Sequence, residues 1–183
     1  MRTHTSRAGR GGMRLGARLA LAAGPALLAW ALIPAATASA DTGPTTTLVN
    51  SATGDCMDSN YQYGIYDISC NGGNYQNWIT TGITTSGGEG AYVIQDAQTG
   101  FCLDGNDGGA VYTHDYIAGD TYQEWIPSVQ GSTLTFVNAQ TGRALQADPG
   151  IDAKNPDGTS NQEWAATMVS TIPTNPAMPT IPG

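Results

Sequence analysis

From residue 45 onward the chain is built of short stretches whose polar and apolar positions alternate. Thr46, Leu48 and Asn50 alternate with Thr47 and Val49, and Tyr92-Val93-Ile94 and Leu134-Thr135-Phe136 occupy corresponding places further on. A period of two, bounded by Gly, Asn and Asp, predicts strands joined in hairpins. Charged helical faces are absent, and no segment here is a good candidate for a helix. The pattern therefore predicts an all-β fold.

One long apolar run breaks this regime. The 15 residues from Leu19 to Ile33 follow a basic segment carrying Arg2, Arg7, Arg10, Arg14 and Arg18, and precede Ala38-Ser39-Ala40. That order predicts a secretory signal over residues 1–40, a mature start at Asp41 and a secreted, extracellular protein. As a membrane anchor the run is short of the roughly 20 apolar residues a span needs, and Gly24 and Pro25 interrupt it.

Superimposed on the strand pattern is a longer repeat. Gln76-Asn77-Trp78, Gln123-Glu124-Trp125 and Gln162-Glu163-Trp164 place three of the four tryptophans 47 and 39 positions apart. Each triplet closes a shared series. Asn50-Ser51-Ala52-Thr53-Gly54, Asp96-Ala97-Gln98-Thr99-Gly100 and Asn138-Ala139-Gln140-Thr141-Gly142 lie upstream. Cys56-Met57-Asp58, Cys102-Leu103-Asp104 and Ala144-Leu145-Gln146 follow them in turn. A period near forty marks one supersecondary unit used three times, each too small to bury its own apolar face. The units run over about 45–90, 91–132 and 133–169. Three equivalent indoles, Trp78, Trp125 and Trp164, can close a threefold centre, with Leu48, Ile94, Phe136, Met57, Leu103 and Leu145 packed beside them. Each triplet glutamine should find local partners, since an unpaired buried amide costs about 1–3 kcal/mol.

Charge and cysteines narrow the chemistry. Without residues 1–40 only Arg143 and Lys154 remain against all fifteen carboxylates, a net charge of −13 with His neutral. Such a surface repels phosphate backbones and anionic lipids, so neither nucleic acid nor a membrane surface is an expected partner. Cys56 and Cys70 belong to one repeat and flank a hairpin-like stretch, which pairs them in an oxidising compartment. A bridge over such a loop contributes about 3 kcal/mol in the chain-entropy model. Cys102 is left over, either as a small buried apolar residue or as the donor of an intermolecular bridge to a second copy of an otherwise monomeric chain. Pro173, Pro176, Pro179 and Pro182 recur every third residue, which suits an extended, disordered tail over 170–183.

On these residues the chain resembles the ricin B-type lectin domain, the family 13 carbohydrate-binding module, over Thr45 to Val169. The resemblance implies a β-trefoil of three Gln-x-Trp repeats and a non-catalytic partner for neutral, galactose- or xylose-containing glycans. In that family the Asp after the Cys-hydrophobic pair accepts hydrogen bonds from sugar hydroxyls, as ionised oxygens do strongly. An aromatic residue on the next strand covers the apolar face of the sugar ring, and the triplet Gln steadies the Asp. Carried over, this gives Asp58, Tyr66 and Gln76 in the first repeat and Asp104, Tyr112 and Gln123 in the second. The family's aromatic often lies two residues before the second cysteine, where this chain has Ile68 and His114. Tyr66 and Tyr112 lie two residues earlier on the same strand face and are preferred here. The family's Asn before the Gln is replaced by Tyr75 and Tyr122. In the third repeat Gln146 replaces the acid and Asp152-Ala153-Lys154 stands where an aromatic is needed, so that site reads as lost.

An enzyme is not expected. His114 is the sole histidine beyond residue 40, which leaves no histidine metal cluster and no Ser-His-Asp arrangement. Asp104-Gly105-Asn106-Asp107-Gly108 lacks the spaced ligands and terminal Glu of a calcium loop and reads as a turn. No cofactor and no metal are implied. The competing expectation is a β-trefoil interaction module that has lost sugar binding.

Overall fold

The computed structural model describes residues 43–169. The predicted signal over 1–40, the start at Asp41 and the proline-rich tail fall outside the described residues. Twelve strands appear in three sets of four. The first set is β1 (Thr45–Asn50), β2 (Cys56–Ser59), β3 (Ile65–Ile68) and β4 (Trp78–Thr84). The second is β5 (Gly90–Asp96), β6 (Cys102–Gly105), β7 (Val111–His114) and β8 (Trp125–Gln130). The third is β9 (Thr133–Asn138), β10 (Ala144–Ala147), β11 (Ile151–Lys154) and β12 (Trp164–Met168). The all-β expectation holds across the described residues.

Antiparallel pairing closes six of these strands into a ring: β1 with β4, β4 with β5, β5 with β8, β8 with β9, β9 with β12, and β12 with β1. A closed ring has no exposed edge to template aggregation. The hairpins β2–β3, β6–β7 and β10–β11 supply the other six strands. This is a β-trefoil, with the alternation seen in sequence turning Leu48, Ile94 and Phe136 inward.

Trp78, Trp125 and Trp164 are fully buried together with Met57, Leu103 and Leu145. Their indole N–H groups donate to the carbonyls of Met57, Leu103 and Leu145 at 3.0, 3.0 and 3.2 Å. Each ring thus ties the start of a fourth strand to the hairpin of its own repeat. A single 3₁₀ turn precedes each tryptophan and places its glutamine in the interior.

The residue that ends each first strand shows the same equivalence and one exception. Asn50 and Asn138 accept two backbone N–H groups on Oδ1. Their Nδ2 groups donate to the carbonyls of Asn161 and Tyr122, the residues just before the triplet glutamines. Asp96 holds the third place. Its Oδ1 accepts from Gln98 and Thr99 N–H, but its buried Oδ2 has no hydrogen-bond partner. Burial pushes the Asp96 carboxyl up to about 6.

Cys56 and Cys70 are disulfide-bonded. Cys102 is completely buried, packed with Val93 and against Ile83 and Tyr116. Desolvation pushes its thiol up to about 12, so it is neither accessible nor a thiolate at neutral pH. That burial corrects the intermolecular-bridge option: the sulfur cannot reach a second chain without local unfolding.

Candidate functional site

Register places each candidate acid opposite a fixed residue of its hairpin. Asp58 on β2 pairs across to Tyr66 on β3, and Asp104 on β6 to Tyr112 on β7. In the third repeat the same position pairs Gln146 with Asp152. Directly opposed side chains of an antiparallel pair lie close enough to interact. Both acids are almost fully buried, where the hairpin meets the 3₁₀ turn.

The second repeat holds the best-formed arrangement. Gln123 is fully buried, and its amide donates to Asp104 Oδ2 at 3.0 Å and to the Asp115 carbonyl at 2.9 Å. Its Oε1 accepts from Ile117 N–H at 2.9 Å. The glutamine is therefore anchored on the loop and holds one oxygen of the aspartate. Burial raises the Asp104 carboxyl above the usual range, and the Gln123 hydrogen bond opposes that rise. Tyr112 stands opposite with its hydroxyl donating to the Gly105 carbonyl at 3.3 Å. Burial raises its phenol too, with the Asp104 charge adding to the effect.

An open cleft of about 610 Å³ lies over these groups, lined by Asp104, Asp107, Tyr112, His114, Asp120 and Tyr122 among others. Tyr112 and His114, the two alternatives for the aromatic position, both line it because residues two apart share a strand face. Sequence reasoning passed over the far wall. Tyr122 donates its hydroxyl to Asp107 Oδ1 at 2.8 Å, and Asp120 Oδ1 accepts from Tyr122 N–H at 3.0 Å. The available signal was the tyrosine directly before the triplet glutamine in two repeats. Asn106 to Gly109 forms a turn, with Gly109 N–H donating to the Asn106 carbonyl at 2.9 Å. Among the described residues, no group of three or more His, Cys, Asp or Glu side chains is arranged to hold a metal ion.

The first repeat keeps the frame with different bonding. Tyr66 donates its hydroxyl to the Ser59 carbonyl at 3.2 Å, and burial together with the Asp58 charge raises its phenol. The Gln76 amide donates to the Ser69 carbonyl at 3.3 Å, and its Oε1 accepts from Asn71 N–H at 2.8 Å. These partners match those of Gln123 on its loop.

The third repeat keeps the glutamine but changes what it supports. Gln162 donates to the Asn155 carbonyl at 3.0 Å and reaches Gln146 Oε1 only at 3.5 Å. Asp152 is ion-paired with Lys154. The flank of β11 is also occupied, because Ala153 N–H donates to the Gly109 carbonyl of the second repeat at 2.8 Å. A Cβ on Gly109 would lie 2.5 Å from the Ala153 carbonyl oxygen, so glycine is required at this junction.

Residues 74–155 match the family model described as a ricin-type β-trefoil lectin domain-like family. No curated protein sequence matches the chain. Solved structures do. A designed threefold-symmetric protein, ThreeFoil, superposes with a TM-score of 0.58 at 23% identity, covering 67% of this chain and 96% of its own. SeviL bound to an asialo-GM1 saccharide superposes at 0.57 with 16% identity, covering 69% of this chain and 98% of that one. An exo-β-1,3-galactanase from Clostridium thermocellum matches at 0.60 and 20% identity over 69% of this chain, but this chain spans only 30% of the galactanase. At such identities the likeness is one of fold. Together with the closed six-strand ring, it establishes the β-trefoil fold, and residues 74–155 are similar to the ricin-type β-trefoil lectin domain-like family.

Proposed function

We propose that the protein is a secreted, non-catalytic carbohydrate-binding protein that recognises neutral glycans, such as galactose- or xylose-containing polysaccharides. Its sites are those of repeats one and two, built on Asp58, Tyr66 and Gln76 and on Asp104, Tyr112 and Gln123. The observation that carries this reading is the Gln123–Asp104 hydrogen bond at the base of an open cleft with aromatic walls. Gln123 holds one oxygen of the carboxylate, which lines the cleft. A sugar offers two adjacent hydroxyls as donors and an apolar ring face. Asp104 accepts from the hydroxyls, and Tyr112 or His114 covers the face.

The mechanism is recognition without bond cleavage. Sites this open bind weakly one at a time, on the order of 1 mM or −4.1 kcal/mol, and two on one rigid body gain avidity on a polymer that engages both. Export is supported by the order of basic, apolar and small residues over 1–40 and by the Cys56–Cys70 bridge, which persists in oxidising compartments.

Retention on insoluble galactans and xylans tests the proposal. Wild-type protein should be retained, and Asp58→Ala combined with Asp104→Ala should pass through. A folded wild-type protein that binds no glycan on an array would instead favour the protein-interaction module. Release of reducing sugar by the purified protein would require an enzyme.

A further inference from the structure

The β2–β3 turn of repeat one and the β6–β7 turn of repeat two have the same length and share two internal bonds. Asn60 N–H donates to the Gly64 carbonyl, and Asn106 N–H to the Ala110 carbonyl. Asn60 Oδ1 accepts from Gly64 N–H as Asn106 Oδ1 accepts from Ala110 N–H. The two turns align residue by residue. Tyr61 falls where repeat two has Asp107, and Tyr63 where it has Gly109.

Tyr63 adopts φ 62°, and among the described residues it is the one non-glycine with positive φ. Gly109, at the same place, has φ 88°. A bulky side chain in this region is strained by about 1–3 kcal/mol and persists where its surroundings hold it. Here Thr113 N–H of repeat two donates to the Tyr63 carbonyl at 3.0 Å. Glycine would meet the backbone requirement without strain, so the ring itself is the feature to be explained.

That ring is one link in a continuous aromatic series. His114, at the wall of the repeat-two cleft, stacks on Tyr63 with centroids 5.6 Å apart. Tyr63 meets Phe101 at 4.6 Å, Phe101 meets Tyr61 edge-on at 6.4 Å, and Tyr61 meets Tyr75 edge-on at 5.9 Å. Tyr75 precedes Gln76 of the repeat-one site as Tyr122 precedes Gln123. The Tyr61–Tyr75 contact thus stands where repeat two has the Asp107–Tyr122 hydrogen bond. Tyr61 and Tyr63 still leave 51% and 43% of their surface in solvent. Tyr61 is further fixed by donating to the Gln98 carbonyl at 3.1 Å.

We propose that these rings form an extended binding surface joining the two sites, along which a single uncharged sugar chain lies. The surface is aromatic, built of tyrosine, phenylalanine and histidine rings with no lysine or arginine among their ring partners. It offers apolar faces and hydroxyl groups to a polyol. The inference rests on the carbohydrate reading of the repeat-two cleft and extends it from one sugar unit to an oligosaccharide.

Calorimetric titration with galactose, xylose and linear hexasaccharides of each, using the full chain, tests it. Wild-type protein should bind one hexasaccharide about tenfold more tightly than its monosaccharide, as about 1.4 kcal/mol of added stacking would give. Tyr61→Ala with Tyr63→Gly should abolish that preference while the monosaccharide still binds. Tyr63→Gly alone should melt at the wild-type temperature or above it, because the sister turn uses glycine. Asp104→Ala should weaken monosaccharide and hexasaccharide alike. A hexasaccharide preference that survives the double substitution overturns the proposal and leaves the cleft reading intact. So does a wild-type protein without chain-length preference, or a Tyr63→Gly protein that melts lower and loses both ligands together. Wild-type protein that binds none of the four sugars overturns both readings.

Discussion

The second and third repeats share a frame and differ in chemistry. Trp125 and Trp164 are buried to the same degree and donate to equivalent carbonyls, and Gln123 and Gln162 anchor equivalent loops. Above that frame one hairpin presents Asp104 and Tyr112 to an open cleft. The other presents Gln146 and an Asp152 already neutralised by Lys154. The elements that make the trefoil are thus separable from those that line the cleft. Threefold architecture constrains the first and leaves the second free to diverge.

The largest expected effect erases the distinction. Trp125→Ala and Trp164→Ala should each lower unfolding free energy by roughly 3–5 kcal/mol, the usual cost of emptying a buried aromatic site. Urea melts should show the two within error of each other. A much smaller loss in the third repeat would mean that the architecture is unequal as well.

A second test concerns the first strands of these repeats, where Asp96 stands opposite in kind to Asn138. The folded Asp96 carboxyl, at about 6, lies above the ordinary 3.8. The fold therefore favours the neutral acid. Its contribution is fully present below about pH 4 and is lost as pH rises to about 6, a change of roughly 3 kcal/mol. By repeat equivalence, the proton on Oδ2 would donate where the asparagine amides do. Asp96→Asn should be more stable than wild type near pH 8, with the advantage shrinking towards about pH 4. Denaturation midpoints across that range check it, and a constant difference would contradict the assignment.

Smaller effects sharpen the contrast at the site. Asp104→Ala should weaken glycan binding by about 1.5–3 kcal/mol, the worth of charge-assisted hydrogen bonds, whereas Gln146→Ala should leave binding unchanged. Gln123→Leu should weaken it by about 1 kcal/mol, because Asp104 loses a donor that fixes one oxygen. Calorimetric titration with the glycan retained by the wild type reads all three.

Much of this was legible because a repeat writes each structural demand three times. The tryptophans and the inward Leu48, Ile94 and Phe136 follow from a shared order of residues and a period of two, whereas the Asp58–Tyr66 and Asp104–Tyr112 pairs come from the family resemblance. What escaped depends on how different repeats close on one another. Nothing local in Asn60 to Gly64 announces that Tyr63 will stack on His114. The Tyr122–Asp107 hydrogen bond joins two loops whose approach is set by the hairpin between them. Cys102 offered two readings, and burial against Tyr116 decides between them.

The central claim is that ligand chemistry resides in the second repeat and is absent from the third. Backbone amide NMR during titration with galactose and xylose tests it most directly. Shifts should concentrate at Asp104, Tyr112, His114 and Tyr122, with Gln146, Asp152 and Lys154 unmoved. Shifts at the third-repeat residues with the second repeat silent would contradict it.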